Sequence, residues 1–89
     1  MPGFLGMDTD AIRNLAAQLD SKAGEIDQIA NVLTATLNGA RWEGPDATRF
    51  RGDWSGTHHP QLTAVAQALR EAATAAKNNA MQQENASNV

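Results

Sequence analysis

Arg41-Trp42-Glu43-Gly44-Pro45-Asp46 is the stretch whose reading decides the fold. Gly44 is the residue type that adopts positive φ or lets another backbone come close, and Pro45, with a fixed φ and no N–H to donate, suits the first position of a helix. The segments on either side carry apolar residues at helical spacing, so residues 39–45 read as the turn of a helical hairpin. Trp42 goes beyond turn chemistry, because a large aromatic at a hairpin tip is neither a cap nor a backbone device. Two readings follow: the indole seals the open end of the core, or it is presented to a partner.

Upstream of the turn, the spacing predicts a helix over about residues 8–38. Asp8 is a good N-cap, Asp10 places negative charge in the first turn, and Met7 is positioned to pack on Ile12 as a hydrophobic staple. Ile12, Leu19, Ile26 and Leu33 recur every seven residues, with Leu15 and Ile29 following two of them in an a/d pattern. Ala16, Ala23, Ala30 and Leu37 lie one position further round and widen the stripe beyond what one partner helix covers. Gly24 costs about 1 kcal/mol relative to alanine inside a helix, and among small residues it suits close helix approach. Asn38-Gly39 reads as the stop.

Downstream, a second helix is predicted over about residues 45–81. Ala47, Phe50, Trp54, His58, Leu62, Val65, Leu69, Ala72, Ala76 and Ala80 follow one another at three- and four-residue steps, and Trp54, in register with Phe50 and Leu62, reads as core. Pro60 removes a helix hydrogen bond and crowds the preceding turn, so Gly56-Thr57-His58-His59-Pro60 should bend or unwind locally. Residues 82–89 are amide-rich and read as a flexible tail. The short connection makes the two helices antiparallel neighbours. The fold class is therefore all-α, a single-domain helix-turn-helix hairpin whose arms span roughly 45 Å each. A lone hairpin leaves part of each stripe wet, which calls for a second hairpin and a four-helix bundle across a dimer interface.

Composition narrows the function. The 89 residues carry ten acidic and seven basic side chains, a net charge of −3, with no basic stripe for a phosphate backbone, so nucleic acid is not an expected partner. There is no cysteine, hence no disulfide and no thiolate metal site. Residues 1–6 lack the basic and apolar regions of a cleaved signal peptide, and no stretch approaches the roughly 20 apolar residues that insert stably in a membrane. His58 and His59 are adjacent, and adjacent helical side chains diverge by about 100°, so they do not converge on a metal ion. The acidic residues are scattered among polar positions, and a two-helix rod offers no cleft to raise a carboxyl pKa. Arg49 and Asp53 are spaced for a surface ion pair worth tenths of a kcal/mol. The glycines form no phosphate loop. No catalytic, cofactor-binding or metal-binding residue is expected, and the chain does not read as an enzyme.

Trp42-Glu43-Gly44 between two helices, followed by Ala47, Phe50 and Trp54 in a chain of 89 residues, resembles the WXG100 family of ESAT-6-like proteins over nearly the whole length. The resemblance implies a hairpin that dimerises with itself or with a paired WXG100 homologue and leaves the cell folded, through a type VII (ESX) secretion apparatus, without enzymatic activity. It also implies that Trp42 and Gly44 form a recognition element for that machinery. Ile12, Leu15, Leu19, Ile26, Ile29, Leu33, Phe50, Trp54, Leu62, Val65 and Leu69 are then the hairpin and dimer core. Many substrates of this route carry a C-terminal Y-x-x-x-D/E signal, whereas this chain has no tyrosine. Either a partner chain supplies the signal, or the protein stays in the cytoplasm. The alternative function is a non-exported helical adaptor or chaperone for a larger toxin.

Overall fold

The computed structural model describes residues 8–87, and all three of its α-helices derive from the signals above. Helix α1 spans Thr9–Gly39, and its Asp8 cap accepts a hydrogen bond through Oδ1 from the Ala11 N–H at 3.0 Å. The staple involving Met7 and the tail residues 88–89 lie outside the described residues. Helix α2, Pro45–Asp53, starts at the proline, directly after Gly44 at φ 114° and ψ 176°. That backbone region is open to glycine and costly for any residue with a Cβ. A Cβ built there would meet nothing within 4 Å, so Gly44 serves conformation and not close approach.

Trp54–His58 form one π-helical turn, and α3 continues over His59–Ser87. The irregularity expected from Pro60 takes this form: the turn before the proline widens, and the His59 N–H reaches back to the Trp54 carbonyl. Pro60 has no N–H for the carbonyl one turn earlier, and the wider turn absorbs an extra residue without ending the helix. The chain past residue 81 stays helical to Ser87, where the sequence predicts a flexible tail. Glu84 accounts for part of that order, because its carboxylate accepts hydrogen bonds from Nη1 and Nη2 of Arg13 in the first turns of α1.

Helices α1 and α3 pack antiparallel in a rod of 66 × 17 × 15 Å. The seam between them is made of alanines. Ala16, Ala23 and Ala30 on α1 and Ala66, Ala73 and Ala80 on α3 are all buried, each set repeating every seven residues, with Ala47 and Trp54 continuing the line toward the turn. No large side chain is fully buried among the described residues. Alanine at each of these α1–α3 levels lets the axes approach to roughly 8 Å, the close end of helix packing. The alanines that the sequence pattern treats as the margin of a leucine-isoleucine stripe are thus the centre of the hairpin. Gly24, by contrast, faces open space, so close approach is achieved without it.

The two flanks of this seam differ in kind. On α1, the residues three before each buried alanine are Arg13, Asp20 and Asp27; on α3, those four after are Arg70, Lys77 and Glu84. They meet across the seam as Arg13–Glu84, Asp20–Lys77 (3.0 Å) and Asp27–Arg70. Each pair is exposed and adds little to stability, but the polarity reverses once along the seam, from a cation on α1 at Arg13 to anions at Asp20 and Asp27, so a slip by one heptad sets like charges opposite each other. Arg49 and Asp53 do not pair, and Lys22–Glu25 is the remaining ion pair among the described residues.

The hydrogen bonds from Arg13 hold the Glu84 carboxyl below the usual carboxylate range. A carboxyl whose folded pKa is depressed adds stability above its unfolded pKa of about 4.3 and loses it as pH falls through the folded value. Glu84→Gln should therefore melt slightly lower than the parent at neutral pH and lose less on acidification to below that range. Parallel melting curves for the two proteins from neutral to acid pH would count against the pair having any role in holding the end of α3.

Candidate functional site

The opposite flank is apolar. Leu19, Ile26 and Leu33 lie three residues after the buried alanines of α1, and Leu62 and Leu69 lie four before those of α3, which puts both sets on the side away from the charge ladder. Within the hairpin, Ile12, Leu19, Ile26, Leu62 and Leu69 are half-buried, while Leu15, Ile29, Leu33 and Val65 are exposed. Ile29 is 62% and Val32 53% exposed, and together with Gln28, Leu33 and Thr36 they line a shallow hollow of about 330 Å³ on α1 near the turn. Of the candidate core residues, only Trp54 is buried inside the hairpin itself.

Trp54 is fixed by chemistry as well as packing. Its Nε1–H donates to Thr34 Oγ1 at 2.9 Å, Thr34 in turn donates to the Ala30 carbonyl at 2.8 Å, and His59 meets the indole edge-on at 5.7 Å. The buried indole N–H is thereby satisfied, as it must be in an apolar seam.

The tip is a second feature. Trp42 is 43% exposed and Phe50 36%, their rings 6.1 Å apart, and His58 lies 6.4 Å beyond Phe50. These three rings run from the turn along α2 toward the apolar flank. The side chain organising them is Arg51. Its Nε and Nη2 donate to the Leu37 carbonyl at 3.2 and 3.0 Å, Nη2 also to Ala40 at 3.1 Å, and Nη1 to Trp42 at 2.6 Å. Its guanidinium carbon lies 5.8 Å from the Trp42 ring centroid, within cation–π range.

Arg51 also explains how α1 ends. The helix stops at Gly39, as the sequence predicts, but Gly39 does not take the left-handed conformation of a glycine cap; Gly44 is the one positive-φ glycine among the described residues. Ala40 is extended, the last turn of α1 contains no basic residue, and the guanidinium from α2 takes up carbonyls at that end while placing a positive charge at the negative pole of the helix. Sequence reasoning missed Arg51 and Thr34. The available signal was indirect: an arginine in the first turns of the second helix, opposite a helix end that lacks its own basic residue.

His58 is exposed and His59 half-buried, and among the described residues no group of three or more His, Asp or Glu side chains is arranged to hold a metal ion. No described helix is long and apolar enough to cross a membrane. No protein-family model matches the chain, nor does any curated protein or solved structure. The class defined by the fold is thus an all-helical hairpin with an alanine seam, one charged flank, one apolar flank and an aromatic tip.

Proposed function

We propose that this protein is a non-enzymatic helical binding protein of the WXG100 kind, which pairs through its apolar flank with a second hairpin and is exported folded by a type VII (ESX) apparatus that recognises the Trp42-Glu43-Gly44 tip. The carrying observation is the division of labour between residues. Alanines close the hairpin, leaving Leu15, Ile29, Leu33 and Val65 exposed on one flank, with a hydrophobic contribution of about 25 cal/mol per Å² available only when that flank is covered. A contiguous apolar face of this kind marks a protein interface. The resulting assembly is a four-helix bundle, either homodimeric or formed with a paired WXG100 homologue that carries the tyrosine-based signal missing here.

Two measurements on the same variants test the reading. Light scattering should give a dimer for the parent, or for the parent with its partner, and Leu19→Asp or Leu69→Asp should abolish it, since each buries an unpaired charge at the interface. Trp42→Ala should leave dimerisation intact and stop export into culture filtrate. A stable, well-dispersed monomer at micromolar concentration would sink the pairing. Export of Trp42→Ala at the parent level would sink recognition through the tip, and a parent that is never exported but co-purifies with a larger toxin would favour the adaptor function.

A further inference from the structure

We infer that Arg51 is the positioning residue of the tip: it holds the Trp42 indole out on the surface, backed by Phe50, and makes that presentation depend on α1 and α2 being packed together. The inference rests on the reading of Trp42 as a recognition residue, and deepens it by naming what sets the recognised shape. Trp42 lies in a connection with no regular secondary structure, where a glycine at φ 114° follows two residues later. Such a segment has no internal ladder of hydrogen bonds to fix a side chain. What fixes it comes from elsewhere in the chain.

The planar guanidinium does three things at once. Nη1 bonds the carbonyl of Trp42 itself, Nε and Nη2 reach carbonyls of the end of α1, and the cation sits over the indole face. A rigid fork of donors can bridge two backbone segments in this way, whereas a lysine ammonium is a single point on a flexible stem. Because the acceptors belong to α1 and the turn while Arg51 belongs to α2, the fork closes only in the folded hairpin. An unfolded or half-folded chain has the same Trp42-Glu43-Gly44 sequence without the same surface. The tip thus reports folding to whatever binds it.

The test uses the full chain labelled with 5-fluorotryptophan, whose two indoles give two fluorine resonances, the tip signal being assigned by its loss in Trp42→Phe. In Arg51→Gln the Trp42 resonance should shift toward that of the free amino acid and narrow, while the Trp54 resonance and the helical circular-dichroism signal stay at parent values. Arg51→Lys, which keeps the charge, should fail to restore the parent position of the Trp42 resonance. Export of both variants should drop to the level of Trp42→Ala. A Trp42 resonance that does not move in Arg51→Gln overturns the inference. So does joint movement of both resonances with loss of helicity in both variants, which would make Arg51 a general clasp. Normal export of Trp42→Ala removes the recognition role of the tip instead, and the fluorine spectra then judge the positioning by themselves.

Discussion

Trp54→Ala should lower the melting temperature more than any other single truncation in the hairpin. Trp54 is the one large side chain that the seam buries, at 7% exposure, and removing a buried aromatic typically costs about 3–5 kcal/mol. For a domain of this size that corresponds to a fall in melting temperature on the order of 15–30 °C. Trp54→Phe separates the contributions: it keeps most of the apolar volume and loses the hydrogen bond to Thr34, so a drop of about 1 kcal/mol is expected. Trp42→Ala is the counterpart, and thermal melting followed by circular dichroism should show it nearly unchanged, because the tip indole is already 43% exposed. If Trp42→Ala and Trp54→Ala melt alike, the distinction between a packed and a presented tryptophan fails.

Enlarging the seam should be nearly as damaging. Ala23 and Ala73 are fully buried and sit at the same level of the rod, between the Asp20–Lys77 and Asp27–Arg70 pairs. Leucine at either position cannot be accommodated at the close axial distance without pushing the helices apart, and overpacking of this kind costs about 1–3 kcal/mol per site. Ala23→Leu with Ala73→Leu in one chain should cost more still, and it strains the flanking ion pairs as the axes separate. Ala64 offers the control: it lies on the same helix but is exposed, so Ala64→Leu should stay within about 0.5 kcal/mol of the parent. Equal melting of Ala73→Leu and Ala64→Leu would show that the alanines do not form the seam.

The elements of the hairpin were legible in the sequence because their signals are local. Asp8 caps by reaching the backbone a turn away, Gly44 and Pro45 act through their own backbone dihedrals, and Pro60 disturbs only the turn before it. The candidate site was less legible. Trp42 and Gly44 stand out in the sequence, but Arg51 looks like any exposed arginine of an amphipathic helix until the end of α1 is placed beside it. The same holds for Thr34, whose role depends on the Trp54 indole arriving from the other arm. The helical end of α3 up to Ser87 is hidden from the sequence for a related reason: an amide-rich composition argues for fraying, and it carries no information about Arg13 at the start of α1.

By itself the sequence determined that this protein is two long antiparallel helices with a glycine-proline turn, because helical periodicity, capping and turn chemistry are properties of residues a few positions apart. Only the tertiary structure decided which part of each apolar stripe closes the hairpin. Leucine, isoleucine and alanine all satisfy the same helical period, and choosing among neighbouring registers depends on how closely two axes can approach and on which charges meet across the seam. Packing by alanine, with Arg13, Asp20 and Asp27 matched to Glu84, Lys77 and Arg70, turns the larger side chains outward on the other flank. That choice, made by steric fit and charge register between distant segments, is what leaves Leu15, Ile29, Leu33 and Val65 exposed.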